Sequence, residues 1–289
     1  MLEVVSKMYN LKVKNDKGET LNLTGNKDYI VYKIEGLNPP QATINSSVNT
    51  TSDGSKINST RLENRNIVLY ISIEGDPEKN RINLYKYFPI KKNITLYFSN
   101  NSRNVYIEGA VELIECDLFA NKQVAQISII CPKPYFKNIN TLTSYFSDCT
   151  SLFEFPFSIS SEGIELSKIT TNIRKTIINT GDVETGIVIE LFSTGTVVNP
   201  IIYNTLTKKH MSFNFTMDPS DKLVINTNVG EKSVTLIRNG ESINALGYMI
   251  KDSDWFVLNS GDNVFAYDCE SGGGYLQISF STSLLYSGV

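Results

Sequence analysis

The 289-residue sequence is short of the residues on which most site chemistry depends. It has one histidine, His210, set in Lys208-Lys209-His210. A catalytic role would need a serine or cysteine nucleophile and an orienting acid beside it. No G-x-S-x-G turn is present, so His210 reads as an exposed histidine in a turn. The four cysteines, Cys116, Cys131, Cys149 and Cys269, are scattered, and none forms a C-x-x-C pair. That argues against a zinc knuckle and for buried free thiols in a reducing compartment. No apolar run approaches the roughly 20 residues of a membrane span. Met1-Leu2-Glu3-Val4 lacks the basic and apolar regions of a secretory signal. Neither sign of charge dominates: 27 Lys and Arg face 30 Asp and Glu, a net charge of −3. This balance gives no global attraction to nucleic acid or to an anionic membrane. Gly230-Glu231-Lys232-Ser233 lacks the upstream glycine and the following helix of a phosphate loop. Asp252-Ser253-Asp254 lacks the glycine and distal acid of an EF-hand loop. Gly272-Gly273-Gly274 leads into a strand and reads as a turn. No catalytic constellation is visible, and nothing calls for a cofactor or a metal.

What is present is strand-forming material. Hydrophobic residues make up 41% and charged residues 20%, enough apolar surface for a packed core. The stretch Ile107–Phe136 organises the first half. Val111–Glu115 and Gln126–Cys131 are apolar-patterned runs around a polar turn at Ala120-Asn121-Lys122, the pattern of an antiparallel pair. Pro132 and Pro134 end the second run, because proline has no N–H for a central ladder. This pair reads as the last of a first domain.

Earlier in the chain, Val4, Leu11, Val13, Leu21 and Leu23 lie in alternating pieces broken by Asn15-Asp16-Lys17-Gly18, a hairpin signal. Tyr29–Ile34 is a strand that ends at Glu35-Gly36-Leu37-Asn38-Pro39-Pro40, and Ala42–Asn45 resumes an extended segment. Ser46–Asn64 is polar around Asp53-Gly54 and reads as an exposed loop or excursion. Asn66–Ile73 is the strongest strand. Asp76-Pro77-Glu78 opens one helix of about three turns: an N-cap, a proline at the first helical position and an acid at the positive end of the dipole. Ile82, Tyr85 and Lys86 share a face, with Leu84 and Phe88 beside it, and Pro89 stops the helix.

Asn138–Ser151 lacks a clear period and is read as a linker, with the second domain beginning at Phe153–Ile159. Short strands then recur at regular spacing: Gly186–Phe192, Phe213–Met217, Leu223–Ile225, Val234–Ile237, Trp255–Leu258 and Tyr275–Phe280. Asn239-Gly240 is the preferred two-residue hairpin turn. This spacing argues for a β-sandwich. The expected organisation is mainly β in two domains, residues 1–138 and 139–289.

Several charged groups invite a functional reading. Glu115 and Asp117 share a face if extended and would suit glycoside hydrolysis only across a sugar cleft; a solvated or interface face is the simpler reading. Trp255 suits either a sugar-stacking platform or a core position. Arg61, Arg65 and Arg81 are either surface arginines or partners for acids across a subunit contact, where the planar guanidinium pairs bidentately. The candidate interface set is thus Arg61, Arg65, Arg81, Glu115 and Asp117.

The order of landmarks resembles that of the distal tail proteins (Dit) of long-tailed, non-contractile bacteriophages, the siphophage tail-component family. The residues that carry the likeness are Glu35–Ala42, Asp53-Gly54, Arg61, Arg65, Gly75-Asp76, Arg81, Leu96–Phe98, Tyr106–Gly109, Glu115 with Phe119, and Gln126–Phe136. In the second half they are Asn179–Gly186, Asn199-Pro200, Ile225–Thr227, Asn239-Gly240, Ser253–Leu258, Gly261–Asn263 and Tyr286–Val289. The resemblance implies a first domain that assembles, usually as a homohexamer, into a ring at the distal end of the tail. It implies a second domain that is a galectin-like, carbohydrate-module-like jelly-roll sandwich on the periphery. Such a ring joins the major tail tube protein to the tail-associated hub or lysin protein and to receptor-binding or baseplate proteins. DNA passes through the bore without stable binding, and no membrane is entered. The implied role is structural, not enzymatic, in a virion assembled in the bacterial cytoplasm. A carbohydrate-binding β-sandwich module for host surface glycans is the alternative.

Overall fold

The computed structural model describes residues 9–48, 53–120, 122–151, 167–171 and 174–289. Val4, Asn121 and the Phe153–Ile159 segment named above lie outside the described residues. In chain order the first strands are β1 (Tyr9–Lys14), β2 (Thr20–Asn22), β3 (Tyr29–Glu35), β4 (Ala42–Val48), β5 (Ser55–Leu62) and β6 (Arg65–Ile73). Helix α1 (Pro77–Tyr87) follows, then β7 (Asn93–Asn100), β8 (Asn104–Cys116), β9 (Val124–Cys131) and β10 (Phe136–Asn138). Next come β11 (Leu142–Tyr145), β12 (Ser147–Ser151), β13 (Ser167–Thr171), β14 (Arg174–Asn179), β15 (Val188–Ser193), β16 (Val197–Val198) and β17 (Ile201–Asn204). The last are β18 (Lys209–Ser212), β19 (Thr216–Met217), β20 (Lys222–Asn226), β21 (Ser233–Arg238), β22 (Glu241–Asn244), β23 (Gly261–Asp268), β24 (Leu276–Thr282) and β25 (Leu285–Tyr286).

The chain forms two compact units. The first is Met1–Ile139 together with Leu285–Val289; the second is Asn140–Leu284. The expectation that everything after residue 138 belongs to the second domain is therefore corrected at its end. The last five residues return to the first unit because β25 pairs with β10, Phe136 opposite Tyr286.

In the first unit one antiparallel sheet runs β2-β1-β7-β8-β9-β6-β3, and β10 pairs with both β8 and β25. The 13-residue β8 is long enough to serve two partners on one side: its second half pairs β9 and its first half pairs β10. The chain bypasses between them through Pro132 and Pro134, so β9 ends at Cys131 as the prolines require, but β10 then extends the sheet. Alternation along β6 buries Ile67, Leu69, Ile71 and Ile73, and along β9 it buries Ala125, Ile127, Ile129 and Cys131. Helix α1 starts as the sequence demands: the Asp76 side chain accepts from the Lys79 N–H at 3.2 Å, with Pro77 at its first turn. Its core face is Leu84 with Phe88 just beyond it, whereas Ile82 is half exposed. Of the face shared by Ile82, Tyr85 and Lys86, Ile82 and Lys86 are exposed and Tyr85 is half-buried.

The second unit packs a six-stranded sheet, β11-β24-β15-β20-β21-β22, and a four-stranded sheet, β14-β23-β17-β18, around one core. The Asn239-Gly240 turn joins β21 to β22 with both residues at positive φ, the geometry that matches the strand twist. The expected linker Asn138–Ser151 is instead mostly strand. Phe146 within it packs against the rings of Tyr267 and Phe280 at 5.2 and 5.3 Å, so it is core material that shows no period. Trp255–Leu258 is not a strand; only Leu258 makes a bridge, to Thr185.

Candidate interaction surfaces

The described part of the Ser46–Asn64 excursion is exposed, as expected, and is largely strand, forming an arm with residues 42–45. β4 and β5 pair antiparallel from Ala42 opposite Leu62 to Val48 opposite Ser55, and among the described residues their only strand partners are each other. One side carries a polar ladder. Thr43 Oγ1 donates to Glu63, Asn45 Nδ2 donates to Ser59 at 3.0 Å, and Ser47 Oγ donates to Asn58 at 3.3 Å. The other side carries Ile44, Val48 and Ile57, all exposed, Val48 at 79%. A register shift after Asn45 places Ile57 opposite Ser46, hence on the same side as Ile44 and Val48. Composition hid this arm: β-branched residues at alternate positions are diluted by Ser and Asn.

The root of the arm is fixed by Arg65, which is 2% exposed. Its guanidinium lies 4.5 Å from the centre of the Phe136 ring and donates to four backbone carbonyls. Nε donates to Pro134 at 2.7 Å, Nη1 to Asn38 at 2.6 Å and to Gly36, and Nη2 to Ser287 at 2.6 Å. Burial lowers its pKa from the usual arginine value. Arg65 is thus withdrawn from the candidate interface set, because its donors are spent on its own chain. Nearby, Gly36 has φ +84°, and a Cβ there would overlap the Asn66 carbonyl.

The other candidates are on the surface. Arg61 is exposed on the polar side of the arm, opposite Thr43. Arg81 projects from α1, where its Nη1 donates to the Tyr85 hydroxyl at 3.1 Å and its Nε is buried without a hydrogen bond. Glu115 is exposed opposite Gln126, and Asp117 accepts from the Phe119 N–H in the β8–β9 turn. Phe119 itself is 97% exposed. Arg81 is thus on α1, Glu115 and Asp117 are at the end of β8 and the turn after it, and Arg61 is on the arm.

In the second unit, His210 sits within β18, not in a turn, opposite Tyr203. Its Nε2 is 3.7 Å from Asp252. Ser253 Oγ accepts from the Ser212 N–H, and Asp254 N–H donates to the His210 carbonyl at 2.8 Å. The Asp252–Asp254 segment is therefore a loop docked on β18. Trp255 packs against the core, and Lys232 lies over its ring at 5.4 Å, so its position is structural. Among the described residues no group of three or more His, Cys, Asp or Glu is arranged to hold a metal. Cys116, Cys131 and Cys269 are free thiols. Among the described residues no helix is long and apolar enough to cross a membrane.

These features define a two-unit β-protein whose most distinctive surface is an outstretched, one-sidedly apolar arm. Residues 180–283 match the family model described as siphovirus-type tail component, C-terminal domain. That match lies within the second unit and covers about a third of the chain. The crystal structure of SPP1 Dit, described as a paradigm of the hub adsorption apparatus in phages infecting Gram-positive bacteria, superposes with a TM-score of 0.67. It is 13% identical, over 94% of this chain and 98% of that one. At that identity the likeness shows the fold. The phage P2 baseplate in its activated conformation, with calcium and with strontium, gives 12% identity and a TM-score of 0.48 in each case. Those matches cover 94% and 95% of this chain and 97% and 98% of the other. No curated protein sequence matches significantly.

Proposed function

We propose that six copies of this chain close into a ring at the distal end of a phage tail, joining the tail tube protein to the tail-associated hub and to the host-adhesion device. The role is structural and without catalysis, and DNA transits the bore without stable binding. The ring assembles in the host cytoplasm and resides in the virion.

The observation that supports this reading is the arm. A lone two-stranded hairpin is marginal in water, and this one leaves Ile44, Val48 and Ile57 uncovered. An apolar patch on an extended element marks a contact surface. A ring needs a heterologous contact, one surface of each copy meeting a different surface of the next, and an arm reaching out of its own sheet is suited to that. Arg61 on the arm, and Arg81, Glu115 and Asp117 at the α1 and β8 end, are the remaining interface candidates. The test is to label purified phage particles with gold-bearing antibody raised against the second unit. Label confined to the distal tip is expected; label along the tube, or on heads, overturns the reading.

A further inference from the structure

The first unit is not complete without residues from the far end of the chain. We propose that Leu285–Val289 act as a strap that sets the root of the arm, so that the assembling surface is finished only after the second unit has been made.

Four sets of contacts carry the strap. β25 adds to β10 through Phe136–Tyr286 and Lys137–Leu285. Arg103 lies 4.5 Å from the centre of the Tyr286 ring and donates through Nη1 to the Gly288 carbonyl. The Val289 N–H donates to the Leu37 carbonyl at 3.2 Å. Leu37 belongs to the Gly36–Gln41 leg that leads into the arm, and the Glu63 N–H closes the root on the Gln41 carbonyl at 3.1 Å. Arg65, two residues beyond Glu63, joins the strap to that leg: one guanidinium serves Ser287 on one side and Gly36 and Asn38 on the other.

Without Ser287 the buried guanidinium loses an acceptor that it cannot replace by deprotonation. An uncompensated buried charge is costly, so the side chain must turn to water and release Gly36 and Asn38, or draw water into the root. Either way the arm loses its fixed exit. During synthesis, Asn140–Leu284 intervene between the two parts of the first unit. At ordinary elongation rates they occupy on the order of ten seconds. A nascent first unit would wait that long with its arm unset, which withholds the assembling surface from neighbouring chains while the second unit is unfinished. This last consequence rests on the ring reading; the strap's hold on the arm root does not.

The experiment compares the full chain, a chain ending at Leu284, and full-length Tyr286→Ala by hydrogen exchange, with mass in solution on the same samples. Ending the chain at Leu284 is expected to speed exchange in residues 36–48 and 55–63 by about tenfold or more, leaving β15, β20 and β24 unchanged. A synthetic Leu284–Val289 peptide is expected to restore the slow rate, and Tyr286→Ala to give an intermediate one. Equal exchange at the arm root in the full and shortened chains overturns the proposal. If the shortened chain loses protection throughout the first unit, Tyr286→Ala decides. Faster exchange at the arm root with β6 and β9 protected supports the strap; an unchanged root contradicts it. If exchange responds as expected but the full chain forms no ring, the ring reading fails and the strap stands.

Discussion

Arg238 grips Asp221 across the start of β20 and the end of β21. Its Nε lies 3.0 Å from each carboxylate oxygen, and its Nη2 also donates to the Thr216 carbonyl at 3.0 Å. Asp221 is buried and also accepts the Asp218 N–H at 2.8 Å, while Arg238 is about a third exposed. The carboxylate holds the Arg238 pKa above the usual arginine value. Arg238→Ala strands the acid and is expected to destabilise the second unit by about 2–3 kcal/mol, below the cost of breaking a fully buried pair. Fluorescence of Trp255, the single tryptophan and a second-unit residue, reads this in a denaturant titration. The double replacement Asp221→Leu with Arg238→Met should recover part of the loss; a loss equal to or larger than that of the single variant would contradict the account.

The Cys131 thiol faces the core, and burial pushes its pKa up to about 12. A raised pKa keeps the thiol neutral, and at pH 8 the thiolate fraction is roughly 10⁻⁴. Native protein treated with a thiol reagent at pH 8 should therefore label at Cys116 and Cys269, which are half-buried, well before Cys131. The linked stability is present below the ordinary thiol range and is lost as pH rises from there toward 12. Rapid native labelling of Cys131, read by peptide mass, would contradict this.

Gly36→Ala is expected to cost the first unit about 1–3 kcal/mol or more, since positive φ and the Asn66 carbonyl both oppose a Cβ. Loss of protection should concentrate in the leg to the arm. An alanine variant with unchanged denaturant midpoint and exchange would show that the leg is not fixed as described.

On α1, Leu84→Ala should cost about 2–5 kcal/mol, as for a fully buried leucine, and Ile82→Ser should stay within about 0.5 kcal/mol. Circular dichroism melts of the two variants separate them. The reverse order would contradict the assignment of Leu84 to the core face.

That helix shows where local reading succeeds and fails. Asp76-Pro77-Glu78 specified its start because capping is local chemistry. Ile82 against Leu84 was not legible, because the choice of face depends on where β6 lies. β8 and β9 were readable from alternation and from Pro132, and the turn at Asn239-Gly240 from the φ it requires. The role of Arg65 was not, since its acceptor at Ser287 lies 222 positions away and is a backbone carbonyl, which leaves no mark in residue identity. The exposure of the Ser46–Asn64 excursion was legible from its polarity, but its strands were not, because a ribbon with an uncovered face looks polar when its apolar residues are read one at a time.

The arm carries the central claim, and mass in solution tests it most directly. The full chain is expected at about 194 kDa, six times 32.3 kDa, with a central hole in negative-stain images. Ile44→Ser with Ile57→Ser removes the apolar side of the arm, and should run near 32.3 kDa with an unchanged circular dichroism spectrum. A native chain that stays at 32.3 kDa at every concentration, or a double variant that still forms rings, would contradict the account.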